Sequence, residues 1–213
     1  MQVFPPAYQL EYDQRTTCAM INPALSICLL NAAIFISAYR FEDAARNFPR
    51  QHVADMISVR DFWFVKYRNY FSISVFPCHA MKWLQQKHAN EHVYVVYYTS
   101  GQNQLAHNKF LTEVKTSKTS THHQPNAVAF RTQKNGPLFI FKLMFINEKR
   151  SCAVLVRKRW SPREAECLLL QTASTAVLPV PQECKFVYDR HCGGESIKLF
   201  DLRCMDIVNG NQG

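Results

Sequence analysis

Glycine is scarce in this chain, with only 6 in 213 residues, and neither G-x-x-x-x-G-K-[ST] nor G-x-G-x-x-G occurs. Close approach of backbone amides to a phosphate needs such glycines, so the common nucleotide-dependent enzymes are not expected. No N-x-[ST] sequon is present, and N-linked glycans are therefore not expected either. Acids are outnumbered, with 16 Asp and Glu against 25 Lys and Arg, which leaves a formal charge of +9. Charged residues are only 19% of the chain and hydrophobic ones 47%, a balance that argues against disorder. A chain of this length has room for one ordinary domain.

The basic residues are scattered (Lys66, Arg68, Lys82, Lys87, Lys115, Lys118, Arg131, Lys134), with one tight run at Arg157, Lys158 and Arg159. A nucleic-acid binder concentrates them on one element, so no nucleic-acid partner is expected.

Residues 24–38 read ALSICLLNAAIFISA, almost wholly apolar and closing on Ser37 and Ala38 before Tyr39 and Arg40. This is the form of a secretory signal and its small-residue cleavage site. A spanning helix needs about 20 apolar residues, and Asn22, Pro23 and Asn31 interrupt this shorter run. The preceding segment carries Glu11 and Asp13 against Arg15, whereas a signal starts short and positive. Initiation at Met20 restores an ordinary length. The expectation is therefore a signal segment at 1–38, a short helical lead-in at 39–60 and the main domain at 61–213, secreted and free of the membrane after cleavage.

Removing residues 1–38 takes Cys18 and Cys28 and leaves Cys78, Cys152, Cys167, Cys184, Cys192 and Cys204. An even set of six in an exported chain reads as three disulfides, although spacing leaves the connectivity open. Arg15 and two acids are lost as well, so the mature charge is 24 minus 14, or +10.

Val53, Met56 and Ile57 fall at i, i+3 and i+4, the spacing of a short amphipathic helix. After Asp61 come short aromatic and β-branched runs that read as eight strands: 62–67, 71–76, 92–99, 110–115, 126–132, 138–146, 152–157 and 166–171. Turn signals separate them, among them Asn135-Gly136-Pro137 and Asn147-Glu148-Lys149. Successive strands with short connections indicate an all-β antiparallel meander, sandwich or barrel. In the strand at 138–146, period two puts Phe139, Phe141, Leu143 and Phe145 on one face, expected to point inward. Trp63, Trp83, Tyr94, Tyr97 and Tyr98 add more rings than a sheet of this size requires for hydrophobic area.

Residues 179–204, PVPQECKFVYDRHCGGESIKLFDLRC, frame a short helix, a Gly-Gly break and a final strand near Ile197–Phe200. This segment resembles the close of tick salivary lipocalins, the histamine-binding-protein-like family. VKYRNYF at 65–71 before Cys78, YVVYYTSG at 94–101, Gly136-Pro137 before the Phe-rich strand and Cys152 before an apolar strand are similar in order. The resemblance covers about residues 60–204. It implies an eight-stranded antiparallel lipocalin barrel around one ligand cavity, with a C-terminal helix packed outside. It also implies the pairs Cys78–Cys204, Cys152–Cys184 and Cys167–Cys192.

The function so implied is sequestration of a small host mediator, lipid-like or a biogenic amine, to blunt host defence. Trp63, Tyr67, Tyr94, Tyr98, Phe139, Phe141, Phe145 and Glu166 are the expected ligand-binding set. The family's amine-binding pattern places Asp directly after the cysteine equivalent to Cys152. Here Ala153 stands there, and Cys167 stands where a Tyr belongs, although Glu166 and Leu168 match. An amine in a dehydrated cavity needs a counter-charge, so an apolar or anionic ligand is favoured, with Arg68, Arg131 and Arg157 as candidate cation partners. The alternative is a basic lipocalin scaffold that binds a host protein or glycosaminoglycan without a small ligand.

No catalytic residues, cofactor or metal are expected. His122-His123 and His191-Cys192 lack zinc-site spacing, and oxidised cysteines cannot serve as nucleophiles. The mature protein is expected to be a monomer.

Overall fold

The computed structural model describes residues 40–71, 77–99, 107–161 and 164–210. The expected signal segment lies outside them. Eight strands follow one another as an up-and-down meander: β1 Phe62–Arg68, β2 Ala80–His88, β3 Glu91–Thr99, β4 His107–Ser117, β5 Ala127–Arg131, β6 Leu138–Ile146, β7 Cys152–Ser161 and β8 Glu164–Thr172. Each pairs antiparallel with its neighbours, and β1 pairs with both β2 and β8, which closes the sheet into a barrel. Closure removes the unpaired edges that an open sheet would expose. A short strand β9, Ile197–Lys198, pairs with Tyr67 and Arg68 beyond the point where β2 leaves β1.

The second strand differs from the sequence expectation. Phe71 lies in no strand and residues 72–76 are outside those described, while Ala80–His88 supplies β2. Its second half, from Gln85 to His88, is exposed and polar, so the hydrophobic alternation that marks a strand fades there. Backbone pairing with β3 carries it instead, with register shifts after Trp83 and after Gln86.

Helix α1, Val53–Ser58, plugs one end of the barrel. Its Val53, Met56 and Ile57 join the interior cluster with Trp63, Tyr94, Val128, Phe141, Leu143, Ala153 and Leu170. The Trp63 indole N–H donates to the Met56 carbonyl at 3.3 Å, which holds the plug to β1. Burying each large apolar side chain here contributes about 1.5 to 3 kcal/mol.

Two further clusters lie on the outer wall. Helix α3, Gln182–His191, follows the short helix α2, Ala173–Ala176, and covers Phe145, Val154, Cys167 and Leu169. Helix α4, Asp206–Asn209, brings Ile207 against Phe62, Phe64 and Tyr97. Disulfides join Cys78 to Cys204, Cys152 to Cys184 and Cys167 to Cys192, the same three pairs that the family resemblance implies. They tie the C-terminal segment to β7, β8 and the loop before β2.

Residues 40–50 form a strap of two 3₁₀ turns, Phe41–Asp43 and Ala45–Arg50, across the outside of the barrel. Its anchor is Glu42, paired through both carboxylate oxygens with Arg159 at 2.8 Å. The two side chains are only 2% and 3% exposed. His122 and His191 serve this strap. The His122 ring bonds the Glu42 carbonyl at 3.0 Å, and the His191 ring packs at a tilt on Phe41 with ring centroids 4.4 Å apart.

Candidate ligand-binding site

The end of the barrel opposite α1 is formed by the last residues of β1, β3, β5 and β7 and the first of β2, β4, β6 and β8. Interior-facing rings at this end are half-buried rather than sealed: Tyr70, Tyr98, Phe110 and Phe139. Tyr98 and Phe110 meet edge to face at 6.1 Å, and Phe139 meets Phe141 in the same way at 6.4 Å. The rings above and the packed apolar layer below give this mouth the surface of a ligand site.

Polar groups converge on it. The Arg157 Nε donates to Glu166 Oε2 at 2.6 Å, across a register shift between β7 and β8. The side chains are 13% and 16% exposed. The same guanidinium lies 4.2 Å from the Phe139 ring centre and 4.5 Å from that of Tyr70. Arg68, opposite the interior residue Leu168, stands 5.6 Å from the same Tyr70 ring centre. Burial pushes the Tyr70 hydroxyl up, against the pull of Arg157 and Arg68. It pushes Arg68 down, with Arg157 adding to the effect and Tyr70 opposing it.

His79, buried just below Arg68, is held neutral. Burial lowers it to about 4, with Arg68 adding to the effect and a bond to the Thr132 backbone opposing it. The unfolded chain takes up this proton near pH 6.5, whereas the folded one resists it down to about 4. Between those values the unfolded state binds more protons, so stability falls as pH falls. A shift of this size corresponds to about 3 kcal/mol lost between pH 6.5 and 4. Urea unfolding across that window checks it: the slope against pH is expected to flatten in His79→Gln, and an unchanged slope would assign the loss to other groups.

Bulges decide which expected residues reach the interior. Trp63, Tyr94 and Phe141 lie in the interior cluster, with Phe139 packed against it and Tyr98 at the mouth. Glu166 is there too, already engaged by Arg157. Phe145 is not. A register shift between Leu143 and Phe145 reverses the alternation, sends Met144 and Phe145 outward beneath α3 and turns Ile146 inward. Tyr67 is likewise on the outer wall, because a shift between Val65 and Tyr67 reverses β1. Of the candidate cations, Arg68 and Arg157 reach the mouth, whereas Arg131 is exposed and bonds the Gly136 carbonyl. Tyr70, His79 and Phe110 were not singled out from sequence. Their only signal is position, one strand length from the plugged end.

A closed eight-stranded meander with one plugged end and a ring-lined mouth defines a lipocalin. The family model for tick histamine binding protein matches residues 41–206, and the chain belongs to that family. No curated protein sequence matches it. Among solved structures it is similar to japanin from Rhipicephalus appendiculatus bound to cholesterol, at 13% identity and a TM-score of 0.52, over 68% of this chain and 96% of that one. It is also similar to AM182 in a serotonin complex, at 12% identity and a TM-score of 0.51, over 73% and 92%.

Proposed function

We propose that the protein is a secreted, monomeric lipocalin that sequesters an apolar or anionic host mediator, such as a fatty-acid-like lipid, at the mouth of its barrel. The two neighbours carry cholesterol and serotonin in turn, one uncharged and one cationic, so the fold does not choose between ligand classes. The interior does. The observation that supports the reading is the Arg157 guanidinium, 4.2 Å from the Phe139 ring centre and 4.5 Å from that of Tyr70, with Arg68 5.6 Å from the same Tyr70 ring.

A carboxylate there gains charge-assisted hydrogen bonds, while its chain lies along Phe139, Phe110 and Tyr98. A protonated amine meets guanidinium groups there instead, and at the other end of β7 the interior offers it only the small apolar Ala153 where the family's amine pattern has Asp. Export through the segment at 1–38 and three disulfides suit an oxidising, extracellular setting. Binding and removal of a mediator require no bond to be made or broken, and the chain's role is to hold it.

Titration calorimetry tests this. A long-chain fatty acid is expected to bind at least tenfold more tightly than histamine or serotonin, a gap of about 1.4 kcal/mol. Submicromolar histamine binding that is lost in Glu166→Gln would overturn the lipid reading. Absence of any small-molecule binding, together with salt-sensitive retention on heparin, would favour the surface-interaction alternative.

A further inference from the structure

The plugged end of the barrel holds a second cavity that the mouth does not account for. A groove of about 240 Å³ opens between α1 and the β2–β3 hairpin. Val53, Ile57 and Pro125 form its apolar wall, and Arg60, Trp83 and His92 its polar one. The Arg60 guanidinium stacks 3.8 Å from the Trp83 ring centre, held by its bond to the Ile57 carbonyl at 2.6 Å. Two buried polar atoms of lining residues, Trp83 Nε1 and His92 Nδ1, have no hydrogen-bond partner among the described residues. His92 is 7% exposed.

Buried polar atoms are almost always paired, so an unpaired indole N–H and an unpaired imidazole nitrogen beside a cavity that also holds a guanidinium mark a place for a polar, acceptor-bearing ligand. The nearby acids are spent elsewhere. Asp55 pairs with Arg150, Asp61 accepts from the Phe62 and Ser174 amides, Glu91 pairs with Lys115, and Glu113 with Lys87. Arg60 has no carboxylate partner among the described residues.

We infer that this groove is a second, independent binding site for a small organic carboxylate with an apolar body. The carboxylate sits against Arg60 and the Trp83 indole N–H, and the body lies on Val53, Ile57 and Pro125. The volume falls below the roughly 300 to 1,000 Å³ of drug-sized pockets, so a lipid chain does not fit and a single-ring acid does.

Benzoate is the probe, titrated into the full chain while the indole N–H of Trp83 is followed by ¹H–¹⁵N NMR. Its resonance is assigned by its absence in Trp83→Phe. A saturable shift is expected with benzoate and not with benzylamine, with affinity at least tenfold weaker in Arg60→Gln. Arg157→Gln, which alters only the mouth, should leave the shift unchanged, so failure of the mouth reading and failure of this one are distinguishable. No shift at millimolar benzoate, an equal shift with benzylamine, or equal affinity in a folded Arg60→Gln protein would each overturn the inference. If Arg60→Gln does not fold, a non-saturable benzoate shift in the wild type overturns it just as well.

Discussion

Cys204→Ser is expected to lower the melting temperature of the protein by about 10 to 20 °C. The bridge from Cys78 to Cys204 spans 126 residues, far more than the 32 and 25 of the other two. In the chain-entropy account, closing a loop of that size removes about 5 kcal/mol of freedom from the unfolded state, against roughly 3.5 for the shorter loops. For a domain of this size each kcal/mol shifts melting by about 2 to 4 °C. The native side adds to this. The bridge sits buried among Phe62, Phe64, Tyr97 and Phe200, and the Cys78 amide donates to the Leu199 carbonyl at 2.8 Å. Parallel melts of Cys204→Ser, Cys184→Ser and Cys192→Ser check the ranking. The account fails if Cys204→Ser melts within a few degrees of wild type, or if it is the mildest of the three.

Glu42→Ala is expected to cost about 3 to 5 kcal/mol. Arg159 would remain in place with its guanidinium out of water and its bidentate carboxylate gone, while the bond from Nη1 to the His191 carbonyl at 3.1 Å carries no compensating charge. Uncompensated buried charge is what makes such a loss large. The pair itself adds little over apolar packing, since desolvating two ions offsets most of their attraction. Glu42→Leu combined with Arg159→Met should therefore recover most of the stability that Glu42→Ala loses. Urea titrations of the three proteins measure this. A Glu42→Ala protein within about 1 kcal/mol of wild type would mean that water reaches Arg159 and the strap does not seal it.

The barrel was largely legible because its strands are short, aromatic and separated by strong turns. Phe139 and Phe141 alternate as period two requires, and Asn147 closes the β6–β7 turn by accepting from the Ser151 and Cys152 amides. The α1 plug was legible for a similar reason, since Val53, Met56 and Ile57 can share a face only on a helix. What failed was parity across bulges. Nothing in LFIFKLMFI marks Met144 as the residue where the alternation reverses, so Phe145 was expected inside and lies outside. Tyr67 failed in the same way. β2 was missed because its polar second half is specified by pairing with β3 and not by burial of its own side chains. The meeting of Arg157 with Glu166 depends on the β7 register shift, which brings both Arg157 and Lys158 opposite one residue of β8. Local sequence carries no record of such a count, whereas each residue type at the mouth was visible once its place was known.

Native mass spectrometry of the protein incubated with an equimolar mixture of a long-chain fatty acid and histamine tests the central claim most directly. A one-to-one fatty-acid complex is predicted in the wild type, at least tenfold depleted in Arg157→Gln. A histamine complex in its place, or a fatty-acid complex that Arg157→Gln leaves undiminished, would contradict it.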